Sequence, residues 1–271
     1  MPAWAKWLVV VLAAALGATA ATAQTSDLVS KTRLRVCADP ANMPFSNEAG
    51  EGFENKIAEL MAEKLERPVQ YTWFPQALGF VRRTLGSNRC DLIIGFAQGH
   101  DLVLNSNHYY TSAYVMVTSP DSPLASVEQL SDPALKGHKI GVTAGAPPAT
   151  HLARYGHASK MQGYALMVDR RVDWPAKRMI DDLKAGDIDA AVLWGPIGGY
   201  LAQDAGLKVT PLLQEEGGPR LFYRITMGVR QGERVWKREV NSFIRRNQAE
   251  IDAILTEFSV PLVTDMGDGL K

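Results

Sequence analysis

One stretch, residues 33–65, constrains the fold more than any other, because its hydrophobic period changes from that of a strand to that of a helix. Alternation of apolar and polar residues from Leu34 to Ala38 predicts a short strand. Apolar residues spaced i, i+4, i+7 and i+8 from Phe53 onward predict a helix with one buried face. The long loop between these elements is therefore placed at the carboxyl end of a strand, where open α/β sheets bind their ligands.

The same strand–helix pattern recurs along the chain and predicts two α/β units. Asp91 to Gly95 is a continuous apolar run, typical of a strand buried in a parallel sheet, and it completes a right-handed β-α-β-α-β unit. The pattern restarts at Lys139, and extended segments at 109–118 and 221–230 can cross between the units. We therefore predict an α/β clamp of two lobes, each a doubly wound, mostly parallel sheet, with two crossover strands and a ligand cleft between the lobes.

An amino-terminal leader and the restart at Lys139 set the predicted domain boundaries. Residues 1–23 combine a positive Lys6, an apolar run and an Ala21–Ala23 cleavage site, the features of a secretory signal peptide. An uncleaved membrane anchor is the alternative. We predict that the mature chain is exported and consists of a first part of lobe one at 24–117, lobe two at 118–220, the return strand and C-terminal helix of lobe one at 221–263, and a tail at 264–271.

The charge balance of the predicted mature chain argues against a nucleic-acid partner. The sequence has 29 basic and 29 acidic residues, and loss of Lys6 with the leader leaves a net charge of −1. Basic residues nevertheless cluster on a predicted long final helix, 233–257. They form either a solvated face or a docking strip for an acidic protein, and they are Arg234, Lys237, Arg238, Arg245 and Arg246.

Two cysteines, Cys37 and Cys90, lie beside predicted parallel strands. An exported compartment permits a disulfide between them. If the two strands take the usual register, however, the cysteines fall at opposite ends, beyond the roughly 7 Å between Cα atoms that a disulfide tolerates. The sequence therefore leaves open whether the two cysteines form a disulfide or remain two buried thiols.

Several motifs are specific enough to identify a resemblance. The chain resembles periplasmic solute-binding proteins of the type with two crossover strands over residues 33–263. Within that class it resembles the XoxJ/MxaJ-like group, and the stretches that carry the likeness are VCADPANMPFSNEAGEGFENKIAELMAEKL, RCDLIIGFAQGHDLVL and AAVLWGPIGGYLA. The resemblance implies a periplasmic accessory protein of a PQQ-dependent alcohol (methanol) dehydrogenase, with the dehydrogenase or its cytochrome c as partner. One departure is the short loop that leads directly into Pro147-Pro148.

Amino-acid-binding clamps have a similar overall pattern, but their ligand anchors are missing from this chain. No arginine occurs between Cys90 and Val117 to hold a ligand carboxylate, and Trp194 follows the strand where the acidic partner of the ligand amine would stand. Asn42 replaces the stacking aromatic residue, and Pro147 removes a backbone donor from a helix start. A free α-amino acid is therefore not the predicted ligand.

Residues at the predicted strand ends should instead form an apolar cleft with scattered polar groups. These candidate ligand-binding residues are Asp39, Asn42, Met43, Phe45, Trp73, Phe96, Gln98, Thr143 and Trp194.

Three kinds of function remain on this reading. The first is the dehydrogenase-associated accessory protein, and the second is a receptor that delivers a small non-amino-acid ligand to an ABC permease. The third is an enzyme on the same clamp, for which Asp39 and Glu54 are acidic candidates without an evident partner base. The histidines are dispersed and favour no zinc site. We predict a binding protein without catalytic residues, metal or cofactor.

Overall fold

The structure, a computed structural model, describes residues 28–166 and 168–271, and the predicted signal peptide at 1–23 lies outside them. Within the described residues the strands are β1 (Leu34–Ala38), β2 (Ala41–Asn42), β3 (Ser46–Asn47), β4 (Val69–Trp73), β5 (Leu92–Ala97), β6 (Leu104–Thr118), β7 (Ile140–Thr143), β8 (Met161–Tyr164), β9 (Ala190–Trp194), β10 (Lys208–Pro211) and β11 (Phe222–Val229). The α-helices are α1 (Phe53–Leu65), α2 (Phe80–Arg83), α3 (Pro147–Arg154), α4 (Pro175–Ala185), α5 (Gly195–Gln203), α6 (Arg234–Arg246) and α7 (Gln248–Glu257). No helix in this part of the chain is long and apolar enough to cross a membrane.

The stretch 33–65 forms the predicted strand and helix. β1 lies between β4 and β5 and pairs with both in parallel, so its side chains are buried on both faces. The Asn55 side chain accepts hydrogen bonds from the backbone N–H groups of Asn47 and Gly52 at 3.0 and 3.2 Å, which fixes the start of α1. Helix α1 then packs Phe53, Ile57 and other apolar residues into the core beneath the sheet.

The strands are arranged around β6, which belongs to both halves of the molecule. The hydrogen-bonded order is β4-β1-β5-β11-β6-β9-β7-β8, and β10 also pairs with β6. Residues 104–113 of β6 pair with β11, whereas Tyr114–Val117 pair with β9. The pairs β1–β4, β1–β5, β7–β8 and β7–β9 are parallel. The predicted fold class, an α/β clamp of two lobes, is confirmed.

The predicted boundary between the first part of lobe one, which ends at residue 117, and lobe two, which begins at residue 118, stays a prediction. Hydrogen bonding changes partner within β6, between Ala113 and Tyr114, so the strand itself is shared by the two halves. The buried apolar residues follow the same pattern, with one cluster around α1, α6 and α7 and two others around β7 and β9.

Cys37 and Cys90 form a disulfide, with their Cα atoms 5.4 Å apart. The strand register pairs Cys37 with Ile93, so simple extension of the ladder would place Cys90 too far away. Cys90 lies two residues before β5 begins, outside the paired strand, so the register argument does not apply to it, and of the two alternatives left open the disulfide is the one present.

The predicted long final helix is two helices. Asn247 ends α6 and precedes α7, with backbone angles of φ −122° and ψ 21° that are not helical. Its side-chain amide donates to the carbonyl of Phe243 at 2.7 Å, which satisfies an acceptor at the end of α6. The clustered basic residues therefore all belong to α6.

Candidate functional site

Asp39 follows β1, and its side chain links the loop after β1 to the segment after β4. Its Oδ1 accepts a hydrogen bond from the backbone N–H of Ala41 at 2.9 Å, and its Oδ2 accepts one from the N–H of Gln76 at 2.5 Å. The Ser46 hydroxyl donates to the Asp39 carbonyl at 2.9 Å. Asp39 is buried, and these hydrogen bonds hold its side chain in the loop that follows β1.

Asn42 is the point where the second lobe reaches the first. The Asn42 side-chain amide donates to Oε1 of Gln76 at 2.7 Å, which turns its own oxygen toward the gap. Nη1 of Arg170 donates to that Asn42 oxygen. Arg170 belongs to the segment between β8 and α4, so this hydrogen bond crosses from one lobe to the other.

Aromatic side chains form the walls of the gap. Phe45 and Trp194 pack at the margins of the core cluster around α1 and also of the cluster around β9. The Trp194 ring lies edge-on to Tyr114 and Tyr223, with ring centroids 5.3 and 5.9 Å away. Met43 packs against the first of these clusters. The two lobes therefore touch through apolar surface.

A cavity of about 80 Å³ lies beside Trp194, and its lining combines Tyr114 of β6 with second-half residues that include Thr143, Arg170 and Trp174. Pockets for small organic ligands typically measure about 300–1,000 Å³. An occupant of ordinary size therefore does not fit this cavity unless its lining moves.

The other predicted ligand-binding residues, Trp73, Phe96 and Gln98, lie in different parts of the structure. Trp73 stacks on Tyr71 at a centroid distance of 4.5 Å, at the outer edge of the first sheet. Phe96 contacts the ring of His100 at 5.5 Å. Gln98 is exposed and lines a different groove of about 850 Å³ beside α6. Thr143 and Trp194 line the same small cavity, Asn42 is linked to it through Arg170, and a ligand role for each of the nine stays a prediction.

Sequence reasoning missed Arg170 and Trp174. The Trp174 indole nitrogen is buried and has no hydrogen-bond partner among the described residues, and its ring borders the small cavity. Both residues lie in a polar connection without a hydrophobic period, so no pattern placed them at a strand end.

Glu54 lies under the loop after β1 with its carboxyl against the backbone of Gly95, where a Cβ would overlap it. Gly95 has φ +82°, which also favours glycine. Burial, and then the nearby charge of Asp39, raise the pKa of Glu54 well above its ordinary value. A neutral carboxylic acid is therefore expected beneath the gap.

The basic side chains of α6 form an exposed charged surface. None of Arg234, Lys237, Arg238, Arg245 and Arg246 makes an ion pair or a side-chain hydrogen bond with the described part of the chain. Lys237 and Arg245 line the groove that contains Gln98. Across residues 28–166 and 168–271, no group of three or more His, Cys, Asp or Glu side chains is placed to hold a metal ion.

Comparisons with known proteins agree with this geometry. No protein-family model matches the chain. MoxJ of Methylorubrum extorquens AM1 is 30% identical, and the alignment covers 92% of this chain and 91% of that protein. The crystal structure of the periplasmic binding protein XoxJ from Methylobacterium extorquens AM1 is 42% identical, with a TM-score of 0.72 over 86% of this chain and 100% of that one. MxaJ from Methlophaga aminisulfidivorans MPT is 26% identical, with a TM-score of 0.74 over 85% and 100%.

Two crossover strands between α/β lobes, with an aromatic gap where they meet, define a clamp of the periplasmic binding protein class. The chain belongs to the MoxJ, XoxJ and MxaJ family of periplasmic binding proteins.

We expect free α-amino acids to bind no more tightly than about millimolar, which corresponds to about 4 kcal/mol of binding free energy. Arg170 is a guanidinium at the gap, but it already donates to Asn42, and the described residues that line the cavity beside Trp194 include no acidic side chain to receive an ammonium group. Titration calorimetry against a panel of amino acids measures this, and a single micromolar dissociation constant contradicts it.

Proposed function

We propose that this chain is a periplasmic accessory protein of a PQQ-dependent alcohol dehydrogenase of the methanol dehydrogenase kind. On this proposal it is not an enzyme. It opens its lobes to hold an apolar segment of the dehydrogenase or of its cytochrome c. Family membership and the sequence resemblance support an association with a methanol dehydrogenase system. The predicted signal peptide supports a periplasmic location.

The observation that carries the proposal is the group of aromatic side chains where the core clusters of the two halves meet. Phe45, Trp194, Tyr114 and Tyr223 would present apolar surface to an entering segment when the lobes part. Aromatic rings contribute much of the binding free energy at such contacts because each buries a large apolar area. Among the described residues that line the small cavity beside Trp194, Arg170 is the one charged side chain, and its guanidinium already donates to Asn42.

A receptor for an ABC permease is the second candidate, because the clamp fold serves that purpose in transport. The lining of the small cavity beside Trp194 is evidence against a charged ligand, since its one charged side chain among the described residues, Arg170, already donates to Asn42.

Trp194→Ala should weaken binding of the cognate dehydrogenase by about 2–4 kcal/mol, since the half-buried indole would lose roughly 80–160 Å² of further contact at roughly 25 cal/mol per Å². Arg245→Ala on the exposed face of α6 should cost less than about 1 kcal/mol, and its effect should shrink with added salt. Surface plasmon resonance of the purified dehydrogenase at two salt concentrations measures both.

Lys177→Ala is the matched control for Arg245→Ala, because Lys177 is exposed and lies on a different helix, α4. Loss of binding in Arg245→Ala with full binding in Trp194→Ala would contradict the gap proposal. The partner would then dock on α6.

A further inference from the structure

The basic side chains of α6 are not balanced by the acidic side chains of the same helix. Helix α6 carries five basic residues and one acidic residue, Glu239, in a chain whose basic and acidic residues are equal in number. Glu239 pairs with Arg67 at 3.1 Å, on another element. Glu233, which precedes the helix, lies 3.6 Å from Arg230. Both carboxylates therefore compensate cations outside α6, and the helix keeps an excess of positive charge.

Two of the uncompensated cations line the groove of about 850 Å³ that contains Gln98. They are Lys237 and Arg245, and most of the remaining lining comes from residues 98–108. Asp101 is the one acidic side chain in the lining that the structure describes. Lys237 is half-buried, and an ammonium group that has lost part of its water is stabilised by an anion. The groove therefore has the charge of a site for a negatively charged group.

The backbone of β6 beside the groove is already hydrogen-bonded. The Asn107 N–H donates to Oδ1 of Asn241 at 2.7 Å, and Nε2 of Gln248 donates to the carbonyl of Tyr109 at 2.7 Å. A chain that enters the groove therefore finds no free strand edge at these two positions. Its recognition depends on the side chains of α6 instead.

Asn241 completes a row of donors along α6. It lies four residues after Lys237 and four before Arg245, so the three side chains share one face of the helix. The Asn107 N–H occupies its oxygen, which leaves its amide N–H groups to donate. At a rise of 1.5 Å per residue, Lys237 and Arg245 lie about 12 Å apart along the axis. Four residues of an extended chain span about 13 Å, and side chains four positions apart point to the same side.

We propose that this groove docks an acidic segment of a second protein, in which two carboxylates stand four residues apart in an extended stretch and meet Lys237 and Arg245. The unpaired positive charge of the groove is the reason, since it complements such a segment and this chain supplies no counter-charge from α6. A flat lipid surface does not enter a groove, so a protein segment is favoured over a membrane. The inference goes beyond the proposed function, because the groove and the cavity beside Trp194 share no lining residue.

The probe is the capped peptide acetyl-Glu-Ser-Ser-Ser-Glu-amide, titrated at low salt into the isotope-labelled mature protein and followed by NMR. Chemical-shift changes should fall in α6 and in residues 98–108, and added salt should weaken the binding. The isomer acetyl-Ser-Glu-Glu-Ser-Ser-amide has the same charge with adjacent carboxylates, and it should bind about threefold more weakly or worse because it cannot reach both cations at once.

Charge-reversal variants test the two cations. Lys237→Glu combined with Arg245→Glu should weaken binding of the first peptide at least about tenfold, because two attractions become repulsions. Lys136→Glu combined with Lys184→Glu is the matched control: it changes the net charge equally at exposed positions outside the groove, and it should bind as the wild type does. Asp101→Asn removes a repelling carboxylate and should bind about twofold more tightly, a gain that a failure to fold does not produce.

Several results would overturn the proposal. They are equal binding of the two peptides, an equal loss of binding in the control pair, and shift changes outside the groove. Vesicles of phosphatidylcholine and phosphatidylglycerol in equal parts test the membrane. If they bind the wild type through Lys237 and Arg245 while the peptide does not bind, the surface contacts lipid and the proposal fails. Trp194→Ala should bind the peptide as the wild type does, so the outcome for the groove and the outcome for the dehydrogenase are read separately.

Discussion

Replacing both Cys37 and Cys90 by alanine should lower the free energy of unfolding by about 4 kcal/mol. The two residues are 53 positions apart in sequence, and a cross-link over a loop of that length removes about 4 kcal/mol of chain entropy from the unfolded state. Both are buried with Phe80, Leu85 and Ile93, so the substitutions also leave a small space in that cluster. Urea unfolding of the double variant and the wild type measures the difference.

Reduction gives an independent measurement of the same cross-link. Wild-type protein unfolded in dithiothreitol should lose most of that stability, and the double variant, which has no cysteine, should be unaffected by the reductant. A difference below about 1 kcal/mol between wild type and double variant would contradict a stabilising disulfide of this loop length.

Local periodicity was sufficient to predict β1, β5 and the first helix, but not where the chain leaves a regular ladder. The disulfide depends on Cys90, which precedes β5, and a register argument applies only within paired strands. β6 begins at Leu104, whereas the apolar pattern placed its start at residue 109. Asn105 and His108 are polar, yet their backbones pair with β11, and that pairing needs no apolar side chain.

The candidate site was predictable only where its residues follow strands. Asn42 is the last residue of β2 and Trp194 is the last residue of β9. The α/β pattern places both at the edge of the fold where the carboxyl ends of the parallel strands lie. Arg170 reaches the gap through a connection whose course depends on hydrogen bonds to Asp169. Such bonds form between neighbours in a polar loop and leave no repeating pattern in the sequence.

Glu54→Gln should make the protein more stable as the pH rises, relative to the wild type. The Glu54 carboxyl is buried against Gly95, and burial followed by repulsion from Asp39 raises its pKa in the folded state. In the unfolded chain a glutamate loses its proton at about pH 4.3. Between that pH and the higher folded-state pKa, the folded wild type keeps a proton that the unfolded chain releases, so its stability falls as the pH rises.

Glutamine has a similar shape and no proton to lose, so the variant escapes this loss. Its advantage over the wild type should be near zero at about pH 4 and should widen by about 1.4 kcal/mol per pH unit until the folded carboxyl ionises. Urea unfolding at several pH values measures the slope. Glu63→Gln removes the same charge from an exposed position on α1 and controls for net charge. A stability difference between Glu54→Gln and the wild type that does not change with pH would mean that Glu54 is ionised in the folded protein. Asp39 and Glu54 would then both be charged beneath the gap.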